Sequence, residues 1–339
     1  MYRIRSPSRT QGFKPSTTPT QKRKNQTLSF YLYFSSPQND VVGSFQFQSS
    51  MGANISGIDA DTDGDNNPPS RPKLGDIPES CLALVLMNLD PPEICKIGAV
   101  KPRLSRASAA DFIWEAKLPP NYRSLIQELK IFDEFSMNLR KKGIYARLCR
   151  PNPFDGGTKE VWLDKRTGGV CFSISSKALT ITGIDDRRYW NHIPTEESRF
   201  QTVAYLQQTW WFEVDGEFEF RFPPGTYSLF FRLHLGRASK RLGRRVCNPE
   251  HIHGWDIKPV KFQLTTSEGQ HAVSKCYLEN PGNWIHHHVG DFVVEQGDTA
   301  MKVKFSATQI DCTHTKGGVC VDSVLICPWS IGKEVRQHL

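Results

Sequence analysis

The sequence predicts an α+β multidomain chain: a small all-α helical module followed by an antiparallel, jelly-roll-like β-sandwich. Three observations predict it. Apolar residues recur at helical spacing between about residues 74 and 142. From about Gly143 the spacing changes to period two. The strand-like runs then follow one another without helical patterns between them, which favours an antiparallel sandwich over a parallel sheet. At 339 residues the chain is long enough for two domains, each with its own core.

Residues 1–70 read as a disordered extension and linker. The first fifty are rich in Ser, Thr, Gln, Pro and basic residues, with one short apolar patch at Leu28–Phe34. Their basic, acid-poor start is similar to an organelle transit peptide. Alternatively, Met51 is a second start, and Met51-Gly52-Ala53-Asn54-Ile55-Ser56 then fits a myristoylation pattern. The Asp59, Asp61, Asp63, Asp65 run lacks the terminal Glu of a calcium loop and reads as a solvated linker.

Helices follow. Pro78 suits a first helical position, and Leu82, Val85, Leu86 and Leu89 make one apolar stripe. Asp90-Pro91-Pro92-Glu93 restarts a helix with a cap, an N1 proline and a capping-box acid. A third helix covers Ser108–Glu115. Residues 120–142 form a linker helix with Leu125, Ile126, Leu129, Phe132, Phe135 and Leu139 on one side, and Gly143 ends it. In the β region, residues 143–330, Trp210–Val214 and Glu217–Phe222 joined by Asp215-Gly216 predict a hairpin. Tyr227, Leu229, Phe231, Leu233 and Leu235 share one strand face. Val303, Phe305 and Ala307 alternate with Lys302, Lys304 and Ser306, and Val319–Cys327 closes the series. Residues 331–339 read as a tail.

Charge and cysteine usage exclude several classes. The net charge of +8 sits mostly in residues 1–50, where seven basic residues face the single acid Asp40; the rest carries 36 basic and 34 acidic groups. A basic groove for nucleic acid is therefore not expected. No run reaches the ~18 apolar residues of a membrane helix, so no transmembrane segment is expected. Nine scattered cysteines, without a CxxC pair or a clear signal peptide, point to reduced thiols and a cytoplasmic and/or nuclear location.

Leu74, Ile77 and Pro78, the Leu82 stripe, and Ser108-Ala-Ala-Asp111-Phe-Ile-Trp114-Glu115 through Leu118-Pro119 resemble an F-box over residues 71–119. Pro102 departs from that pattern and is expected to shorten or kink the second helix. Cys171–Gly183, Ile184–Trp190, Val203–Glu213, Pro223–Gly236, His253–Pro259 and Asp311–Pro328 resemble phloem protein 2, the Nictaba-like lectin module. In this order the two segments are similar to F-box proteins of the phloem protein 2-like A type.

The resemblance implies a non-catalytic substrate-recognition subunit of an SCF-type E3 ubiquitin ligase. F-boxes dock a Skp1-like adaptor, and through it a cullin, by apolar side chains that a small helical unit cannot bury. Leu74, Ile77, Pro78, Leu82, Leu86, Ile94 and Trp114 are the implied contacts, although some of them must also supply the module's own core. The lectin module implies a glycoprotein or protein target, with glycans containing N-acetylglucosamine. Asp185, Asp186, Arg188, Tyr189 and Trp190 combine rings for stacking with groups that fix hydroxyls. Sugar-binding members carry a second tryptophan where this chain has Gly183, so only weak, Trp190-dependent binding is expected. Trp190 reads equally as a packing residue at a sheet edge.

Other residues carry weaker signals. Trp210 and Trp211, adjacent on a strand, point to opposite faces, which puts at least one in the core; Trp255 and Trp284 stay open. His286-His287-His288, with His251 and His253, read as surface or loop residues, so no metal and no cofactor are expected. Cys312, His314 and Cys320 read as structural. Lys240-Arg241 and Arg244-Arg245 fit a solvated turn, a nuclear localisation signal or an acidic-partner contact. A lectin with a vestigial F-box is the second functional reading. A hydrolase or transferase is the third, disfavoured because no catalytic motif is present.

Overall fold

The computed structural model describes residues 29–32, 43–46, 77–128, 139–241, 244–248, 251–297 and 299–337. The chain divides into two units, Met1–Ser70 and Arg71–Leu339. In the first, β1 (Ser29–Leu32) pairs antiparallel with β2 (Gly43–Gln46), Ser29 opposite Gln46. The rest of the expected disordered extension, with Met51 and the Asp-rich run, lies outside the described residues, as does Leu74.

The second unit opens with short helices: α1 (Glu79–Leu86), α2 (Pro91–Gly98), α3 (Pro102–Ala107), α4 (Asp111–Lys117), α5 (Tyr122–Glu128) and α6 (Lys141–Leu148). Proline punctuates them as expected at α2, where Asp90 is the N-cap and Pro91 takes N1. The second helix is indeed short, α2 stopping at Gly98, and Pro102 opens a separate helix, α3, because a missing N–H matters least at the first helical position. The expected α1 stripe shifts by a residue. Leu82, Ala83 and Leu86 are buried, whereas Val85 faces solvent and Leu89 lies beyond the helix end, partly buried.

The linker helix differs more. Gly143 does not end a helix; it lies inside α6, whose C-cap is Cys149. The cost of a helical glycine, about 1 kcal/mol, is outweighed because Tyr145 and Leu148 on α6 are buried. Tyr145 packs on Trp114 of α4 with ring centroids 5.2 Å apart. Leu129, Phe132 and Phe135 lie outside the described residues.

The strands are β3 (Asn152–Phe154), β4 (Lys159–Leu163), β5 (Val170–Ser175), β6 (Thr180–Ile181), β7 (Trp190–Pro194), β8 (Thr202–Leu206), β9 (Phe212–Phe220) and β10 (Gly225–Leu235). Next come β11 (Arg237–Arg241), β12 (Arg244–Asn248), β13 (Val260–Thr266), β14 (His271–Cys276), β15 (Trp284–Val294), β16 (Met301–Gln309) and β17 (Val319–Pro328). All pairings are antiparallel. The large sheet runs β15-β10-β17-β5-β4-β3, and the small sheet β14-β13-β16-β9-β6. One edge of β17 is taken by β10; the other is shared by β8 along Val319–Val321 and β5 along Ser323–Ile326. The basic loop is the hairpin β11–β12, Arg241 opposite Arg244.

The sheets pack face to face through aromatic rings. Phe172 of the large sheet meets Phe218 and Phe220 of the small one at 5.1 and 4.6 Å, and Phe231 meets Phe262 and Phe305 at 5.7 and 5.9 Å. The predicted alternations hold: Tyr227, Leu229, Phe231, Leu233 and Leu235 are buried, as are Val303, Phe305 and Ala307. The predicted hairpin does not. Asp215 and Gly216 lie in the middle of β9, which runs unbroken beside β16 with Gly216 opposite Phe305. A Cβ at Gly216 would come within 2.3 Å of the Phe305 ring, so the glycine admits that ring to the core rather than turning the chain.

Residues 331–339 are likewise no tail. Residues 331–337 continue α7 (Trp329–Gln337), whose Ile331 and Val335 cover Phe230, Cys171 and Cys327 on the outer face of the large sheet; His338 and Leu339 lie outside the described residues. The sandwich and the helices share one continuous apolar core, from Leu82 and Trp114 through Tyr145 and Leu163 to Phe172.

Candidate functional site

The loop between β6 and β7 carries the predicted sugar-contact residues. Asp186 and Arg188 close on each other in a fork, with Nη2 2.7 Å from Oδ2 and Nε 3.1 Å from Oδ1, and that bonding holds the Asp186 carboxyl below its usual range. The Arg188 guanidinium lies 5.6 Å from the centroid of the Tyr189 ring, which is 41% exposed. Asp185 faces solvent. Trp190 does not: it is 1% exposed, stacks on Phe212 at 6.2 Å and donates its indole N–H to the Thr182 carbonyl at 3.2 Å. It is a core residue, because the β7–β8 pairing turns its side chain inward. Gly183 has φ +82°, a conformation that suits glycine, and its open side faces the Tyr189 ring.

The exposed indoles are elsewhere. Trp210 and Trp211, expected on a strand with at least one buried, lie just before β9 and are 54% and 42% exposed. They escape alternation because β9 begins only at Phe212. Glu213 joins them to the first loop: its Oε2 accepts from the Trp211 indole N–H and from the Thr182 hydroxyl, each at 2.9 Å. Gln207 donates its backbone N–H to the Tyr189 carbonyl at 2.7 Å and its side-chain amide to the Arg187 carbonyl at 2.9 Å. Tyr189 and Trp211 thus stand on two loops tied edge to edge.

Beneath Trp210 lies a buried lysine that the sequence did not mark. Lys316 Nζ donates to the carbonyls of Trp210, Asp311 and Gln309 at 2.8, 2.9 and 3.1 Å. Its backbone exchanges two 2.8 Å bonds with Thr209. Burial lowers its pKa, and the three carbonyl dipoles solvate the ammonium in place of water. Lys316 therefore holds the tryptophan loop against the β16–β17 loop. Trp255 is core and donates to the Gly317 carbonyl, and Trp284 donates to Glu197 at 2.7 Å.

On the helices, Leu82, Leu86, Ile94 and Trp114 are buried, so in this arrangement they present no surface to a partner. Trp114 is locked by a 2.7 Å bond from its indole N–H to the Ser108 carbonyl. Ile77 is half-buried and Pro78 exposed. Large apolar residues that do face solvent here include Leu84, Val85, Val100 and Phe112, none of them among the contacts the resemblance implied, although Val85 and Phe112 lie within its motifs.

The histidine run alternates across β15. His287 stacks on Phe262 and approaches Cys276 Sγ at 3.3 Å; burial pulls the imidazole down to about 4 and pushes the thiol up to about 11. Both are neutral at neutral pH, which does not suit a thiolate nucleophile. His288 pairs with Asp291. His253 Nδ1 approaches the His251 carbonyl and His314 Nε2 the Gly254 carbonyl, while Cys312 is exposed and Cys320 buried. Among the described residues, no three His, Cys, Asp or Glu side chains converge as metal ligands, and no helix is long and apolar enough to cross a membrane.

Residues 169–328 match the family Phloem protein 2. The chain is 63% identical over 288 residues to F-box protein PP2-A13 of Arabidopsis thaliana, covering 84% of this chain and 99% of the relative. F-box protein PP2-A12 of the same plant is 59% identical, covering 79% and 91% of the two chains, and F-box protein PP2-B10 is 35% identical, covering 75% and 93%. Among solved structures, TmCBM61 in complex with β-1,4-galactotriose overlaps 44% of this chain and 86% of its own at 14% identity; at a TM-score of 0.25 the overlap carries no argument. With its β-sandwich matched by the phloem family and relatives of this identity aligned through the helices as well, the chain belongs to the F-box proteins of the phloem protein 2 type.

Proposed function

We propose that the chain is the substrate-recognition subunit of an SCF-type E3 ubiquitin ligase. Its helices dock a Skp1-like adaptor and through it a cullin, and its sandwich holds a glycoprotein or protein target, in the cytoplasm and/or nucleus. The observation that carries this reading is the outward apolar set Leu84, Val85, Val100 and Phe112 on a helical region whose own core is already full. A surface of that kind suits an adaptor helix, and the relatives' shared F-box name supports the choice of partner.

The adaptor makes and breaks no bonds; its work is to hold a target at a fixed bearing. Tyr145 packs on Trp114 and donates to the carbonyls of Asp164 and Lys165 in the β4–β5 loop, while Asn121 donates to the Arg221 carbonyl at 2.7 Å. These contacts tie the helices to the sandwich. On the target side, Tyr189 and Trp211 offer exposed rings beside Asp186, Arg188 and Glu213, a mixture that suits a sugar face or a protein side chain. The test is co-purification of a Skp1-type protein with Val85→Asp and Phe112→Asp, two surface changes that leave the core intact. Binding should fall at least tenfold with the melting temperature unchanged. Full retention by both folded variants would remove the ubiquitin-ligase reading.

A further inference from the structure

One edge of the small sheet is open along part of β9. β6 pairs with β9 only at Val214 and Asp215, because before Thr180 the chain leaves this sheet through the 3-10 turn Ser176–Ala178. A strand residue sends its N–H and C=O to one side, and its neighbours send theirs to the other. Two bonds fix this phase in β9. Thr182 donates its N–H to the Glu213 carbonyl at 3.1 Å, and just past the strand Asn121 donates its side-chain amide to the Arg221 carbonyl at 2.7 Å. Glu213, Asp215, Glu217, Glu219 and Arg221 therefore turn their backbone groups away from β16. Thr182 and Thr180 take the first two, and Asn121 takes the carbonyl of the last. Among the described residues, the backbone N–H and C=O of Glu217 and Glu219 have no partner.

Beside this edge, the solvent face of the sheet holds a cavity of about 400 Å³. Its charged lining is two acids, Asp215 and Glu217, against one base, Lys304. Lys302 reaches Glu217 and Glu219 at 3.6 and 3.7 Å. Asp215 has no such partner among the described residues. It is half-buried, and its pKa is raised by that burial and then by Glu213, as expected for a carboxylate that has lost water without gaining a donor. On the inner side of the same edge, Phe218 is buried and packs 6.4 Å from the ring of Phe154.

We infer that the edge of β9 receives an extended segment of a protein target as an added strand, and that a basic residue of this segment reaches into the cavity. Unpaired backbone groups on an edge are a template for another strand, and charge on the edge decides which strand is admitted. Glu217 and Glu219 both face solvent there. A second copy of β9 would set carboxylate against carboxylate, and an acidic segment is repelled in the same way. A lysine or arginine opposite Glu217 instead lies diagonal to Asp215 and Glu219, a distance that long side chains span. It supplies the partner that Asp215 lacks. The residues on either side of it turn inward toward Phe218 and Phe154, so the segment alternates basic and apolar residues. The inference deepens the reading of the sandwich as the target-holding part, on which it rests, and is independent of adaptor docking.

The test uses the full chain and the labelled peptide Thr-Val-Arg-Val-Arg-Val-Thr, read by fluorescence anisotropy and by residue-level hydrogen–deuterium exchange. Saturable binding is expected, with exchange of the Glu217 and Glu219 amides slowed at least tenfold. Asp215→Asn should weaken binding tenfold or more. So should Glu217→Pro, which removes an edge N–H that no sheet bond uses, a place where strands tolerate proline. Methylating the backbone nitrogens of the two arginines keeps their charge and removes the donors that face β9, so this peptide should not bind; it serves alone should Glu217→Pro fail to fold. Tyr189→Ala should bind within twofold of the wild type. No saturable binding, binding indifferent to the N-methyl groups, or protection of the Tyr189 loop in place of β9 would overturn the assignment. Failure of Skp1 to co-purify with the wild type would count against the ubiquitin-ligase reading alone.

Discussion

Trp190→Ala separates a core residue from a sugar platform. The indole is 1% exposed, stacks on Phe212 and satisfies the Thr182 carbonyl at 3.2 Å. Truncating a buried Trp to Ala costs about 3–5 kcal/mol through lost contacts and the cavity left behind. A carbonyl left without its donor adds about 1 kcal/mol or more. For a unit of this size the melting temperature moves by about 2–4 °C per kcal/mol, so the combined cost of about 4–6 kcal/mol lowers it by about 8–24 °C. Trp190→Phe should lose less than half of that, because most of the ring volume stays and only the N–H goes. Tyr189→Ala, which removes an exposed ring, should shift the midpoint by no more than about 2 °C. Scanning calorimetry on the three variants, beside glycan-array binding, reads both properties. A Trp190→Ala protein that melts like the wild type yet loses ligand binding would refute the placement of this indole in the core.

Other expectations follow the same logic. Leu82→Asp puts a charge into the buried apolar cluster to which Ala83, Leu86 and Ile94 belong, so it should lower helical content, seen by circular dichroism, and lose Skp1 by unfolding rather than by a local clash; a folded variant would count against this packing. Gly216→Ala forces the Phe305 ring aside and should cost about 1–3 kcal/mol in urea unfolding, whereas a turn glycine at an Asp-Gly hairpin would move the strand pairing instead. His286 and His287 are held near 4 against an ordinary 6.5, mainly by burial, with Arg232 and His286 respectively as the next causes. The folded protein thus binds fewer protons than the unfolded chain, so stability is full above about pH 6.5 and is lost as the pH falls toward 4, by up to about 3 kcal/mol for each histidine. The double variant His286→Gln, His287→Gln should flatten the pH dependence of the urea midpoint; an unchanged slope would exclude these two groups.

The sequence by itself determined the order of helical and strand regions, the α2 cap at Asp90 and Pro91, and which alternate residues of β10 and β16 are buried. Each of these depends on neighbours within a turn or a strand, so period and propensity report it directly. Family membership was legible for a related reason, since each motif that carries the resemblance, such as Ile184–Trp190, is a contiguous stretch of the chain. Tertiary structure alone decided the points where distant segments compete for one position. Asp215-Gly216 has the local chemistry of a turn, yet it stays in β9 because Phe305, from a strand far along the chain, needs the space a side chain would take. Gly143 has the chemistry of a helix stop, yet Trp114 rewards the burial of Tyr145 and Leu148 beyond it. The tryptophans show the same limit. Trp190, Trp210 and Trp211 are equally apolar in the sequence, and only the pairing of β7 with β8 and the start of β9 at Phe212 send the first inward and leave the other two outside. Lys316 reads as an ordinary surface lysine until the carbonyls of Trp210, Asp311 and Gln309 close over it, because a buried cation is tolerated only where the fold supplies the dipoles that water would have provided.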